Sequence, residues 1–426
     1  MNQINIIAVT DIEHSSPRIT NLLYYLDNKK FNKYIVGSNH TGFISKHDLP
    51  NNFFQNITYG SFNRSINIFR FLKRSNNNYE SNNKVKIKSK SFIGIKKVLL
   101  KLVLTILFPD QYFFTVRKYI SITSKLIKEM DGPIIILTSY PYPTPHIAGF
   151  LLKRKFNDKI IWIADYRDLW TLNHNYSFNI VRRLFDKTLE KHITDNADII
   201  TTVSQSLSKA QSKFLNKNVS IIYNGYSFNY EAGINIKSYK ERYFKYDKKY
   251  ILYVGSIYFE NMDINLLTSN LNKYDENFEI HFIGSHSDVL QKIIEDNKLN
   301  NCVKQNGRFS RKESMSIQKL YDYLLMFDST TDSGVIPLKF YEYIQASNPI
   351  LCVGGIKNSE VKQIIRKINR GHILENSTDM DAFFNQKIHS NFSIDIEESV
   401  NYSYSYEASS KNLENIIIDK IKNNTK

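Results

Sequence analysis

Between two short apolar runs, Tyr323–Phe327 and Pro349–Val353, the chain reads Asp332-Ser333-Gly334-Val335-Ile336-Pro337-Leu338-Lys339-Phe340-Tyr341-Glu342-Tyr343. Both runs have the length of a strand and lack polar alternation, the mark of strands covered on two faces. Pro337 suits the first position of a helix, where its missing N–H would find no partner in any case. Strand, helix and strand in that order imply a parallel sheet with helices packed on it. Lys339 then falls in the opening turn of the helix, with Glu342 three residues on along the same face. The helix start, Lys339 and the amides of Ser333 and Gly334 converge on one spot that favours a diphosphate. Glu342, one turn deeper, is placed to accept hydrogen bonds from ribose hydroxyls. A plain lysine–glutamate surface pair is the alternative.

The same rhythm extends in both directions. In the first half the strand candidates are Ile4–Val9, Lys33–Gly37, Ile134–Thr138, Ile160–Ala164, Ile199–Val203 and Val219–Tyr223, with helical spacing over Arg18–Leu26 and Phe178–Asp195. The second half restarts with Tyr250–Gly255, Glu279–Gly284 and Val303–Gly307 before the opening stretch. Two doubly wound, Rossmann-like α/β domains are therefore expected. Tyr226–Lys249 is polar without a clear apolar period and marks the junction. The first domain is placed at 1–235 and the second at 236–405. A closing helix at 406–426, with Leu413, Ile416, Ile417 and Ile421 at helical spacing, is expected to pack back on the first domain.

Length agrees with two domains: 426 residues exceed one ordinary core. The composition, 42% hydrophobic and 23% charged, is that of a globular chain. Lysine and arginine outnumber acids by 57 to 41, and the net charge of +16 attracts anionic lipid, nucleic acid or phosphorylated substrates. A solvated lysine surface is the bland alternative. Cys302 and Cys352 sit in apolar contexts, with no Cys-x-x-Cys or Cys/His cluster for zinc and no disulfide framework, so a reducing cytoplasm is expected. The first ten residues read as a strand and not as a signal peptide. No stretch reaches the roughly 18 uninterrupted apolar residues of a spanning helix.

Three further places carry chemistry. Ser15-Ser16-Pro17-Arg18 follows the first strand, at the edge where doubly wound domains bind ligands. Arg18 in the first helical turn suits phosphate or acceptor oxygens; a solvated arginine is the alternative. Trp162-Ile163-Ala164-Asp165-Tyr166-Arg167-Asp168-Leu169-Trp170-Thr171 places three charges directly after a strand, between the only two tryptophans. Charges there belong to a site more often than to a core, although an ion-pair network of Asp165, Arg167 and Asp168 that merely fixes the loop is the other reading. Ser139-Tyr140-Pro141-Tyr142-Pro143 would border the same crevice, and Asn224-Gly225 ends a strand in a turn that by itself says little.

Residues 76–108 break the pattern. Lys84, Lys86, Lys88, Lys90, Lys96, Lys97 and Lys101 alternate with apolar residues and lead into the greasy stretch Leu99–Phe108. Such a segment lies on an anionic membrane surface, or else it is an insertion followed by a buried helix.

Taken in order, these residues resemble the bacterial family 4 glycosyltransferases, most closely a branch that assembles surface polysaccharides. The resemblance rests on Pro17-Arg18, the run from Asp165 to Thr171, Ala197–Ser204, Asn224-Gly225, Tyr253-Val254-Gly255-Ser256-Ile257-Tyr258, Lys339–Ile344 and Asn348-Pro349-Ile350-Leu351. It spans most of the chain and weakens over 40–105 and 375–405. Two features depart from the family pattern: Gly334 stands where many members have the first glutamate of Glu-x7-Glu, and no basic residue follows Gly255-Ser256 closely.

The resemblance implies the GT-B fold, with two domains facing a central cleft. It implies retaining transfer of a sugar from a nucleotide-sugar donor, of unknown base, to a saccharide or lipid-linked acceptor. Donor contacts are expected from Gly255, Ser256, Gly307, Arg308, Ser333, Gly334, Lys339 and Glu342, with Asn306-Gly307-Arg308-Phe309 resembling the nucleobase-contacting stretch. Lys339 would stabilise the departing diphosphate, and Asp165 is the candidate acidic group facing sugar or acceptor. Arg18, Tyr140, Arg167, Asp168 and Asn224 are the acceptor-side or cleft candidates. No metal and no cofactor beyond the nucleotide-sugar co-substrate are expected. The location implied is cytoplasmic, peripheral on the inner membrane face.

Two rivals remain. A nucleotide-sugar epimerase has the same fold. A nucleic-acid-binding protein would explain the +16 charge, but no recognised binding motif is present, and no nucleic-acid partner is expected.

Overall fold

A computed structural model describes residues 3–10, 18–39, 57–63, 110, 113–174, 176, 178–227, 234–245, 247–257, 262–268, 271, 274, 276–331, 334–386 and 402–424. By its internal contacts the chain divides into two units, Met1–Thr202 with Gln211–Ser220, and Val203–Ala210 with Ile221–Lys426.

The first unit alternates strands and helices: β1 (Ile4–Val9), α1 (Arg18–Tyr25), β2 (Phe31–Asn39), β3 (Ile57–Asn63), α2 (Val116–Glu129), β4 (Ile134–Tyr140), α3 (Pro143–Phe156), β5 (Ile160–Tyr166), α4 (Ile180–Thr194) and β6 (Ile199–Thr202). They are followed by α5 (Gln205–Leu215), whose first turns group with the second unit, and by β7 (Ser220–Ile221). The strands form one sheet in the order β3-β2-β1-β4-β5-β6-β7. Every residue of β5 is buried, as is every residue of β4 except Tyr140, which is why those segments read as unbroken apolar runs. β1 pairs in parallel with β2 on one side and β4 on the other. The chain therefore reverses its winding direction between β1 and β4, the place where such sheets open a crevice at their carboxyl edge.

The second unit contains α6 (Ile236–Tyr243), β8 (Lys249–Val254), α7 (Ile264–Thr268), β9 (Phe278–Ile283), α8 (Asp288–Asp296), β10 (Val303–Gln305), α9 (Arg311–Gln318) and β11 (Tyr323–Phe327). It continues with α10 (Leu338–Ala346), β12 (Ile350–Val353), α11 (Glu360–Lys367), β13 (Gly371–Leu374), α12 (Ser377–Gln386) and α13 (Tyr406–Asn424). The sheet order is β10-β9-β8-β11-β12-β13, and the winding reverses between β8 and β11.

Strands β3 and β13 are not among the sequence candidates: among the described residues β3 pairs with β2 at one edge of the first sheet, and β13 stands at one edge of the second. The polar stretch 226–249 holds α6, capped by the Asn235 side chain and burying only Tyr239. The closing helix α13 groups with the second unit: the Tyr406 amide donates to the Tyr226 carbonyl at 2.9 Å, and Asn412 donates to the Ile221 carbonyl at 3.0 Å. Among the described residues no helix is long and apolar enough to cross a membrane.

Candidate functional site

In the second unit the carboxyl ends of β8, β9 and β10 finish in glycines held in step. The Gly255 amide donates to the Ile283 carbonyl and the Gly284 amide to the Gly307 carbonyl, both at 2.8 Å. Gly255 has φ +115°, a conformation L side chains rarely adopt. A Cβ on Gly284 would stand 2.3 Å from the Gly255 carbonyl oxygen, so these turns meet backbone to backbone. The result is a floor of main chain.

Lys339 hangs over this floor. It occupies the second position of α10, next to the reversal between β8 and β11, and its Nζ is 3.6 Å from where a Gly255 Cβ would be. The ammonium donates to Tyr253 Oη at 2.7 Å and sits 3.9 Å from the Tyr253 ring centroid, a cation–π contact. Tyr253 in turn donates to the Ser256 carbonyl at 2.8 Å. Burial lowers the Lys339 pKa to about 8, against a smaller opposing pull from Glu342. A partly desolvated cation, backbone turns and the positive end of a helix lie together here, features that favour an anion.

Glu342 lies one turn along, as the spacing predicts, but its carboxylate is engaged by Arg311, whose Nε and Nη2 stand 3.1 and 3.0 Å from Oε1. Arg311 opens α9, three residues beyond the exposed Arg308. Gly307 faces open space. A Cβ on Gly334 would meet Ser206 and Leu207 at the start of α5, and Ser333 lies outside the described residues.

In the first unit Asp165 is near the end of β5, with Ser139 of β4 and Thr201 of β6 as its register partners. Register partners point to one face of a sheet, so both hydroxyls reach the carboxylate: Ser139 at 2.9 Å and Thr201 at 2.8 Å. Arg18, the first residue of α1, closes the set with Nε at 3.0 Å and Nη2 at 2.7 Å, a two-pronged pair in which both residues are 1% exposed. Burial pushes the Asp165 carboxyl up, but the Arg18 charge and the hydrogen bonds from Arg18, Thr201 and Ser139 outweigh it and hold the pKa below its usual value. The Asp165 carboxylate is thus buried and paired with Arg18 at the start of α1, and not with Arg167 two residues away, the pairing that the ion-pair alternative supposed. Arg167 pairs loosely with Asp168 at 3.8 Å, the Asp168 side chain being half exposed.

Tyr140 is partly buried and stacks on Tyr166 and Trp170, with ring centroids 6.0 and 6.3 Å away. Behind it stand two groups that the sequence reading missed. Glu190 of α4 accepts from the amide and hydroxyl of Thr171, and burial raises its pKa to about 7. His146 of α3 meets Thr138 Oγ1 at 2.8 Å, and burial lowers its pKa to about 4. Neither sits in a local motif; only the packing of α3 and α4 on β4 and β5 brings them in. Asn224 is buried in the second unit beside Gly225, where a Cβ would stand 2.4 Å from the Ser405 backbone. The basic segment 84–108 lies outside the described residues. Among those that are described, no group of three or more His, Cys, Asp or Glu could hold a metal ion.

No protein-family model matches the chain, and no curated protein matches it. Solved structures do. A glycosyltransferase from Rickettsia africae is similar over 99% of this chain and 100% of its own, at 12% identity and a TM-score of 0.64. Anabaena HepE in complex with UDP is similar over 97% of this chain and 100% of its own, at 10% identity and a TM-score of 0.64. The lipopolysaccharide outer core galactosyltransferase WaaB is similar over 98% and 99%, at 16% identity and a TM-score of 0.56. Likenesses of this kind show the fold: the chain has the GT-B fold, two doubly wound Rossmann-like domains.

Proposed function

We propose that this chain is a retaining glycosyltransferase that moves a sugar from a nucleotide-sugar donor to a saccharide or lipid-linked acceptor in surface-polysaccharide assembly. The observation that carries the reading is Lys339, suspended from Tyr253 above the Gly255 turn at the winding reversal of the second unit. A nucleoside diphosphate matches that site in charge, and the UDP bound to Anabaena HepE on the same fold agrees with it. Glycosidic bond cleavage at the anomeric carbon leaves negative charge on the diphosphate, which the Lys339 ammonium and the α10 start would stabilise. The acceptor oxygen bonds to the anomeric carbon, and its proton passes to the newly basic phosphate oxygen. Glu342 and Arg311 would divide the ribose hydroxyls between an acceptor and a donor, while the exposed Arg308 would lie toward the base.

The first unit would take the acceptor along the edge of Tyr140, Arg167 and Asp168. Asp165 already accepts four hydrogen bonds, so its part is to position Arg18 and the strand ends around it. No cofactor beyond the co-substrate enters this proposal, and the location proposed is the cytoplasmic face of the membrane.

Thermal-shift screening against nucleotide sugars tests the donor site, because a ligand that binds only the folded chain raises its melting temperature. One or a few should raise it for the wild type and fail to do so for Lys339→Ala. A putative UDP-N-acetylglucosamine 2-epimerase from Listeria monocytogenes shares the fold at a TM-score of 0.52. Isomerisation of the bound nucleotide sugar without any acceptor would replace the transferase reading with that one.

A further inference from the structure

Helix α10 is pinned where it reaches the end of β8. One turn along from Lys339, the Tyr343 hydroxyl accepts from the Val254 amide at 3.0 Å and donates to the Leu325 carbonyl at 3.1 Å, tying the helix to β8 and β11. The Lys339 side chain leaves this fixed helix on a flexible four-carbon stem that ends in a point charge. Such stems ordinarily carry their charge out to water. Here the ammonium turns back onto Tyr253, 2.7 Å from the hydroxyl and 3.9 Å from the ring centroid.

Tyr253 is held in turn by packing. It is fully buried in β8, its ring lies against Phe282 and Phe327 with centroids 5.2 and 5.7 Å away, and its hydroxyl donates to the Ser256 carbonyl at 2.8 Å. With the hydroxyl proton directed at Ser256, the phenol oxygen is set to accept from the ammonium. One hydroxyl thus joins a lysine of α10 to the turn that follows β8. That turn has no cation of its own, because the sequence holds neither lysine nor arginine from Ser256 to Asn272. Among the described residues the titratable groups facing Lys339 are Tyr253 from β8 and, on α10, Glu342 and Tyr343; Arg311 of α9 engages the Glu342 carboxylate at 3.0 Å. Burial lowers the Lys339 pKa to about 8, with Glu342 opposing, and an acceptor bonded to the ammonium favours its charged form.

We infer that Tyr253 is a positioning residue of the donor site: its hydroxyl fixes the Lys339 ammonium over the Gly255 turn, so that α10 supplies the cation the turn lacks and a diphosphate meets it already in place. This inference rests on the transferase reading of the site and adds to it a residue that acts only through Lys339.

The test is a double-mutant cycle on the full chain, with the binding of inorganic pyrophosphate, UDP, GDP, ADP and dTDP measured by calorimetry from about pH 6 to about pH 9, on either side of the Lys339 value. Tyr253→Phe keeps the ring, its packing and its cation–π contact, and removes only the hydroxyl. Loss of one hydrogen bond to a charged group should weaken diphosphate binding about tenfold or more near pH 8. Lys339 should also titrate at a lower pH than in the wild type, read by competitive acetylation of lysines and mass spectrometry. The ratio of variant to wild-type affinity should therefore recover toward one near pH 6, where Lys339 is charged in both proteins. In a Lys339→Met background, at raised probe concentration, the same Tyr253→Phe change should cost almost nothing. A loss of equal size at every pH, or in both backgrounds, overturns the inference by making the hydroxyl part of the packing alone. Wild-type affinity in Tyr253→Phe overturns it as well. In all three cases wild-type binding that depends on Lys339 leaves the transferase reading standing, whereas a wild type that binds none of these probes overturns both.

Discussion

Replacing Asp165 by asparagine separates a structural ion pair from a catalytic group. The carboxylate accepts from Arg18 twice, from Ser139 and from Thr201, at 2.7 to 3.0 Å. Asparagine keeps one acceptor oxygen and turns the other position into an NH2 donor. Ser139 and Thr201 can rotate their hydroxyls to accept from it, whereas the Arg18 guanidinium has only donors to offer. One prong of the pair then faces another donor, and the Arg18 charge is left buried without its counter-ion. Breaking a buried pair in this way costs about 3–5 kcal/mol, a large part of the stability of an ordinary domain. Both tryptophans, Trp162 and Trp170, belong to the first unit, so their fluorescence reports its unfolding without interference from the second. The predicted result at pH 7 is a urea midpoint well below wild type. Arg18→Met combined with Asp165→Leu should recover most of the loss, since an apolar pair of similar volume leaves no stranded charge. The pH dependence has a definite sign: the Asp165 pKa is depressed in the folded chain, so its contribution is present above the ordinary value of 3.8 and is lost as pH falls through the lower folded value. An Asp165→Asn protein with wild-type stability and abolished turnover would refute this account and return Asp165 to the reacting groups.

Three other perturbations bear on the remaining parts. Lys339→Ala should cost about 2–4 kcal/mol of leaving-group stabilisation, read as kcat/KM on the donor found by screening. Because its pKa is lowered to about 8, diphosphate affinity should fall as pH rises through that value, and Lys339→Arg should flatten the decline. Gly284→Ala should remove donor binding, since its Cβ would stand 2.3 Å from the Gly255 carbonyl oxygen; titration calorimetry with UDP and other nucleoside diphosphates reads the loss. Glu190 has a folded pKa raised from 4.5 to about 7, so its stabilising contribution is full below 4.5 and disappears as pH rises through 7. The tryptophan-reported stability of wild type should therefore decline by up to about 3 kcal/mol over that window relative to Glu190→Gln.

The fold was legible wherever burial was complete. β1, β4, β5, β8, β11 and β12 are largely apolar runs because both their faces are covered, and β9 is as fully buried but holds Glu279 and His281 within it. β3 and β13 were missed; each stands at an edge of its sheet among the described residues, although the edge strands β7 and β10 were read. Lys339 and Glu342 were legible because three residues on a helix is a local relation. Arg18 and Asp165 are 147 positions apart, and only the sheet register brings Ser139, Asp165 and Thr201 into one row. The sequence reading offered Asp165 as a site residue, with pairing to its chain neighbours as the alternative, while the structure pairs it with Ser139 and Thr201 on adjacent strands and with Arg18. Tyr253 was visible only as part of an apolar strand; that its hydroxyl carries Lys339 follows from α10 returning over the end of β8. α4 was read as a helix, but not that Arg182, Asp186 and Glu190 are buried on it, because helical period alone does not distinguish a polar inner face from a polar outer one.

The central claim is that Lys339 above the Gly255 turn holds the leaving group of a sugar transfer. It is tested most directly by incubating the folded chain with a radiolabelled nucleotide sugar, chosen by thermal shift, and a saccharide or lipid-linked acceptor, while following both free nucleoside diphosphate and labelled product. The account predicts equal amounts of the two, and little of either from Lys339→Ala protein that melts like wild type. Wild-type transfer by Lys339→Ala, or conversion of the nucleotide sugar with no label reaching an acceptor, would contradict it.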